Sequence, residues 1–87
     1  MKPIVARKKE SGELELAKVL GGTIKALREK AGMTQVQLAT AAKIDPSYMS
    51  QVERGLKNIT LPVLWKLSRA LNVGVGTIVS AVEKKHR

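Results

Sequence analysis

The apolar positions of the chain repeat at helical spacing. Over residues 13–31 they recur every three or four positions, at Leu16, Leu20, Ile24, Leu27 and Ala31, which is the stripe of an amphipathic helix. Gly21 and Gly22 lie inside this stripe, and each disfavours a helix by about 1 kcal/mol relative to Ala, so the helix is expected to bend or to begin there. Gly32 is placed to end it.

Capping signals predict two short helices after the first. Thr34 and Gln37 have the spacing of a capping box, which indicates a second helix over residues 35–42. Asp45-Pro46 supplies an acceptor for the next helix start and a proline at its first position, so a third helix is expected over residues 46–54. Three residues separate the two helices, which forces them to cross steeply.

Two further helices follow a loop over residues 55–59. Thr60 can cap a fourth helix, whose expected inner face comprises Leu61, Leu64, Leu67, Ser68 and Leu71. A fifth helix is expected from about residue 75 to Lys84. These elements predict an all-α five-helix bundle over residues 13–84, preceded by a flexible basic arm over residues 1–12 and followed by a charged tail over residues 85–87.

The composition excludes several classes of protein. A chain of 87 residues holds one domain, with too small a core for a two-lobed catalytic one. It has no Cys and a single His, His86 near the end, so we predict no enzyme, no metal site and no cofactor. The N-terminus lacks the apolar run of a signal peptide, and no stretch reaches the roughly 20 apolar residues of a membrane span, which favours a cytoplasmic protein without membrane contact.

The formal net charge of +9 favours a polyanionic partner, above all nucleic acid. Charge alone leaves two alternatives open, namely high solubility and binding to an anionic membrane surface. The excess is unevenly distributed, because residues 1–12 carry +3 and residues 61–87 carry +4, whereas residues 34–60 carry only +1. The termini can therefore supply affinity without sequence preference.

The spacing of residues 35–55 carries the most specific signal. Ala39 and Ala42 are small where the next helix crosses, and the pattern around them comprises Gln35, Leu38, Ile44, Met49, Val52, Glu53 and Gly55. With residues 24–35 and 64–73, this pattern resembles the helix-turn-helix family of phage repressor and Cro proteins, the xenobiotic-response-element-like bacterial regulators. The resemblance spans about residues 16–82 and implies a lambda-repressor-like DNA-binding domain. The chain departs from the family pattern at Lys43, because this turn position is usually occupied by Gly in a left-handed conformation.

The resemblance implies that the third helix, residues 46–54, enters the major groove of double-stranded DNA. The base-contacting candidates on its outer face are Pro46, Ser47, Ser50 and Gln51. Gln51 is the leading candidate, because an amide can bond bidentately to the edge of adenine. The alternative for Gln51 is an ordinary solvated helix face.

Phosphate contacts are expected around this outer face. The resemblance implies a phosphate clamp at Gln35, at the start of the second helix, where free backbone N–H groups also point outward. Further phosphate candidates that flank the third helix are Thr34, Lys43, Tyr48, Arg54 and Lys57. The resemblance also implies a structural ion pair of Arg28 and Glu53 that joins the first and third helices.

As a whole, the resemblance implies a transcriptional regulator, such as a repressor, that binds a palindromic operator as a homodimer. Dimer-interface candidates are Trp65, expected to be partly buried and stacked on Arg69, and the apolar residues Ile78, Val79 and Val82. The alternative is a protein-interaction module, or the antitoxin of a toxin–antitoxin pair that also binds its own operator. Small polar residues on the outer face of the third helix favour DNA, because an interaction-only domain would tolerate acids or bulky apolar groups there.

Overall fold

The computed structural model describes residues 3–86, with side chains from Glu15 onward. Within these residues all regular structure is helical, and the prediction of an all-α five-helix fold is confirmed. The helices are α1 (Pro3–Lys30), α2 (Gln35–Ala42), α3 (Pro46–Glu53), α4 (Leu61–Leu71) and α5 (Val75–His86).

Two apolar clusters form the core, and α1 contributes to both. The larger cluster contains residues of α1, α2, α3 and α4, and its fully buried members are Ile24, Leu38, Ala39, Met49, Val52 and Leu67. The smaller cluster comprises Leu64, Ile78 and Val82 of α4 and α5, with Val19, Leu20 and Leu27 of α1 packed against it. The helix α1 therefore contributes side chains to both clusters and packs mainly against α3 and α5, whereas α2 packs against α3 and α4.

The start of α1 differs from the sequence prediction. The helix begins at Pro3 instead of Glu13, and it continues unbroken through Gly21 and Gly22 to Lys30. Proline suits the first turn of a helix, and the Ala, Arg, Lys, Glu and Leu residues that follow have high helix propensity, which outweighs the roughly 1 kcal/mol cost of Gly12. Residues 3–12 of the predicted arm are therefore part of α1, whereas Met1 and Lys2 lie outside the described residues.

The C-terminal half requires three corrections. Leu61, predicted on the inner face of α4, is 68% exposed, because it lies in the first turn of the helix, before the buried stripe begins. Ile78 and Val82, predicted as dimer contacts, are 0% and 8% exposed, because α1 is long enough to pack along α5 and cover them. The helix α5 ends at His86, so the predicted tail is helical up to that residue, and Arg87 lies outside the described residues.

Candidate nucleic-acid interface

The N-terminus of α2 is capped and still presents free donors. The Thr34 hydroxyl accepts a hydrogen bond from Gln37 N at 3.0 Å, and Thr34 N donates to Gln37 Oε1 at 2.8 Å, which completes the capping box. None of the hydrogen bonds among the described residues uses the N–H groups of Gln35 and Val36. Two donors at the positive end of a helix therefore remain available to an anion.

The turn between α2 and α3 uses a left-handed residue. Lys43 has φ 59° and ψ 45°, and its N–H donates to Thr40 O at 3.1 Å, while Ile44 N donates to Ala39 O at 2.9 Å. Ala39 and Ala42 are 0% and 3% exposed where the two helices cross. The turn therefore keeps the conformation that glycine usually supplies, with a Lys side chain exposed at its outside.

The outer face of α3 is made of small and uncharged groups. Asp45 Oδ1 accepts from Ser47 N at 2.7 Å and from Tyr48 N at 3.4 Å, which starts the helix. Met49 and Val52 point into the core. The base-contacting candidates lie on the opposite side, with Pro46 and Ser47 exposed and Ser50 and Gln51 half-buried.

An ion pair connects the last residue of α3 to α1. Arg28 Nε lies 2.6 Å from Glu53 Oε2, and Arg28 Nη2 lies 3.0 Å from Glu53 Oε1, so the pair is bidentate. Arg28 Nη1 also donates to Met33 O at 2.8 Å. The hydrogen bond to Glu53 raises the pKa of Arg28, and this effect outweighs the burial that would lower it. This ion pair joins α1, α3 and the connection before α2.

Gln35 has a contact that sequence reasoning missed. Its side-chain Nε2 donates to Glu53 Oε1 at 2.9 Å. The residue predicted to clamp a phosphate is therefore also hydrogen-bonded to the ion pair of Arg28 and Glu53. Residues 35 and 53 are 18 positions apart and in different helices, and no local spacing rule connects them. Only the packing of α2 across α3 brings them together.

The other phosphate candidates differ in how free their side chains are. Lys43, Arg54 and Lys57 are exposed and lie in the segments directly before and after α3. Tyr48 is half-buried and packs against the larger core cluster, which leaves part of its side chain at the surface. The Thr34 hydroxyl already accepts a hydrogen bond within the capping box.

Two glycines permit a close approach between α1 and the end of α3. A Cβ atom on Gly21 would clash with Val52 O and come within 2.9 Å of Glu53 O. Gly55 has φ 76°, and a Cβ atom there would lie 2.8 Å from Lys18 Cα. The sequence shows these glycines only as helix breakers, although here they set the distance between two elements.

The remaining dimer candidates lie at the surface. Trp65 is 56% exposed, more than expected, and Arg69 Cζ lies 5.5 Å from the centroid of its ring, which is the expected stacking. Val79 is 47% exposed. Leu61 lies one helical turn before Trp65 on α4, so the two form an exposed apolar stripe.

Among the described side chains, from Glu15 to His86, no group of acidic or His residues is arranged to hold a metal ion. None of the helices within residues 3–86 is both long and apolar enough to cross a membrane.

Comparison with known proteins identifies the class that this geometry defines. The family model described as Helix-turn-helix matches residues 24–78, which is more than half of the chain. The protein therefore belongs to the helix-turn-helix family, as the spacing of residues 35–55 indicates. Because the match runs from α1 into α5, it covers the capped helix, the turn, α3 and the ion pair.

Individual relatives agree with this assignment. The chain is 35% identical over 65 residues to the HTH-type transcriptional regulator SutR of Escherichia coli, covering 75% of this chain and 36% of the relative. It is 40% identical over 60 residues to the immunity repressor protein of Bacillus phage phi105, covering 69% and 42%. The chain thus spans well under half the length of these two regulators.

A solved structure is similar over most of both chains. It is the restriction-modification controller protein C.Esp1396I, as a tetramer in complex with its natural 35 base-pair operator. The TM-score is 0.75 at 30% sequence identity, and the match covers 82% of this chain and 93% of that one.

Proposed function

We propose that this protein is a transcriptional regulator that binds double-stranded DNA sequence-specifically, with α3 as the recognition helix in the major groove. The observation that carries the proposal is the outer face of α3, where small uncharged side chains lie beside exposed basic ones while the acidic Glu53 is buried and paired. The exposed carboxylate nearest this face, Asp45, is already engaged as the N-cap of α3, and base edges can be reached by short hydrogen-bonding groups.

Base readout is assigned to the outer face of α3. Gln51 is the main reader through its amide, Ser47 and Ser50 supply hydroxyl contacts, and Pro46 supplies an apolar contact such as one to a thymine methyl group. The half-burial of Ser50 and Gln51 restricts their side-chain freedom, which favours defined contacts over loose ones. No catalytic step is part of this function.

Phosphate contacts hold α3 in place. The free N–H groups of Gln35 and Val36 donate hydrogen bonds to one phosphate oxygen. Lys43, Arg54 and Lys57 neutralise neighbouring phosphates around the outer face. The Tyr48 hydroxyl and Thr34 complete the set. These contacts fix register and affinity but select no sequence.

The protein binds its operator as a homodimer, because the α3 helices of the two protomers then occupy the two half-sites, one protomer per half-site. Trp65 is the interface candidate with the largest apolar area at the surface, and Val79 is the second. The operator-bound tetramer of C.Esp1396I supports an oligomer on DNA. The reducing cytoplasm, where its operator would lie, is the expected location.

A second function is favoured by one observation. Leu61 and Trp65 expose an apolar stripe on α4 that could seat a different protein, such as a toxin, in place of a second copy. In that case the same chain would act as an antitoxin or an interaction module that also binds its own operator.

Selection of bound fragments from random DNA tests the proposed function and yields the half-site sequence. The selected duplex and a random duplex are then titrated at about 0.15 M salt, where specific binding is expected to be at least 1,000-fold tighter. Equal affinity for both duplexes would contradict the proposal. A symmetric half-site pair with a spacing near one DNA turn would identify the dimer as the binding species.

A further inference from the structure

We infer that Gln35 is a positioning residue that couples the phosphate-binding end of α2 to the recognition helix α3, in addition to any phosphate contact of its own. This inference rests on the proposed DNA-binding function and concerns how that function acquires its sequence preference. The observation behind it is the hydrogen bond from Gln35 Nε2 to Glu53 Oε1, 2.9 Å long.

Glu53 is an unusually fixed acceptor. Its side chain is 2% exposed, and its two carboxylate oxygens receive hydrogen bonds from Arg28 Nε, Arg28 Nη2 and Gln35 Nε2. No buried side-chain polar atom among the described residues lacks a partner. A buried carboxylate with charge-assisted bonds on both oxygens has little freedom to move, so the Gln35 amide is held at a defined place.

The hydrogen bond between Gln35 and Glu53 links two helices, α2 and α3, that contact DNA in different ways. Gln35 is the first residue of α2, where the free N–H groups face a phosphate, and Glu53 is the last residue of α3, whose outer face meets the bases. Docking of α2 on the phosphate backbone therefore sets the depth and tilt of α3 in the groove. The Gln35 amide has two donor hydrogens, and one remains for a phosphate after Glu53 has taken the other.

Removal of this bond has a distinct effect on specificity. A lost phosphate contact weakens binding to every duplex by the same factor, because phosphates carry no sequence information. A loss of fold stability also lowers the folded fraction equally for every duplex. Misplacement of α3 weakens the selected duplex more than a random one, because only the selected duplex depends on aligned base contacts. The affinity ratio between the two duplexes therefore isolates the positioning role.

The experiment uses the full chain and the duplex obtained by selection. Gln35→Met preserves side-chain length and helix propensity but removes the donor. It is expected to weaken binding to the selected duplex about tenfold and binding to a random duplex no more than about twofold. The matched control is Gln37→Met, which also removes one side-chain hydrogen bond from α2 but leaves Glu53 untouched, and for which the ratio stays at the wild-type value.

A second variant keeps the test informative if Gln35→Met folds poorly. Gln35→Lys restores a donor to Glu53 and adds a positive charge near the phosphate, so it should bind both duplexes more tightly and keep the affinity ratio within about twofold of wild type. A ratio unchanged in Gln35→Met, or lost in Gln35→Lys, would overturn the positioning role while the proposed function stands. A wild-type protein without sequence preference would overturn both.

Discussion

At Gly21 the absence of one methyl group determines how closely α1 approaches α3. A Cβ atom there would clash with the carbonyl oxygen of Val52, whereas a Cβ atom on the neighbouring Gly22 would meet nothing within 4 Å. The two glycines are adjacent in the chain and equal in helix propensity. Their different surroundings make them a matched pair for separating packing from propensity.

We predict that Gly21→Ala destabilises the fold by about 1–3 kcal/mol, because the clash is with backbone and cannot be relieved by rotating a side chain. Gly22→Ala should instead stabilise it by about 0.5–1 kcal/mol, through helix propensity alone. Urea unfolding of both variants measures the difference. Equal effects of the two substitutions would contradict the close approach.

The readout of bases depends on single residues as well. Gln51→Ala removes the one amide from the outer face of α3, and we expect a loss of about 1–3 kcal/mol in discrimination at one base pair of each half-site. Competition titrations with single-base variants of the selected duplex locate that base pair. Preserved preference at every position would show that Gln51 is a solvated surface residue. Lys66→Ala, on the exposed part of α4, is the control.

At the scale of elements, short-range signals place α2 and α3 with little help from the rest of the molecule. The capping box at Thr34 and the Asp45-Pro46 start are both formed as predicted. Each cap satisfies backbone groups within three residues of itself, so its effect is local. The turn between the helices is under local strain, because Lys43 adopts the left-handed backbone.

We predict that Lys43→Gly stabilises the fold by about 1 kcal/mol relative to Lys43→Ala, because only glycine adopts φ near 59° without steric cost. Both variants lose the same charge at the phosphate backbone. The salt dependence of DNA binding should therefore flatten equally in both, by about 0.9 per half-site in the slope of log affinity against log salt concentration. Thermal unfolding and salt titrations check the two effects separately.

At the scale of the whole molecule, α1 decides which apolar residues remain for a partner. Its packing along α5 buries Ile78 and Val82 and leaves Trp65, Leu61 and Val79 at the surface. Exposed large apolar residues on so small a protein are costly to leave in water. They are therefore the residues to test for self-association.

We expect Trp65→Ala to raise the dimer dissociation constant at least tenfold, since tryptophan is the residue type that most often dominates an interface. Sedimentation equilibrium over a range of protein concentrations measures it. Trp65 is the only tryptophan, so a blue shift of its emission with rising wild-type concentration would report burial directly. An unchanged oligomeric state in the variant would show that the interface lies at another surface. Val79→Ser is then the next substitution to examine.

The uneven charge of the chain leads to a prediction about affinity. Deletion of residues 1–12, which carry +3, should lower DNA affinity and flatten its salt dependence, while the preferred sequence stays the same. Replacing Arg7, Lys8 and Lys9 by Gln is the control that preserves the chain length of α1. A changed preferred sequence after deletion would mean that this segment reads a groove.

Features that depend on near neighbours in the chain could be predicted from the amino-acid sequence. The order of the five helices and the caps at Thr34 and Asp45 follow from signals within a few residues. The family resemblance added the left-handed turn at Lys43 and the pairing of Arg28 with Glu53. Helix starts were less well predicted, since α1 begins at Pro3, ten residues before the predicted start at Glu13.

Contacts between residues of different helices depend on the packing of the whole domain. This packing tied Gln35 to Glu53, made Gly21 a contact surface for α3, and placed Ile78 and Val82 in the core while Leu61 and Trp65 stayed outside. The physical reason is that helical periodicity gives each helix an apolar face but says nothing about how far a neighbouring helix extends over it. The length and path of α1 settle that question for this protein.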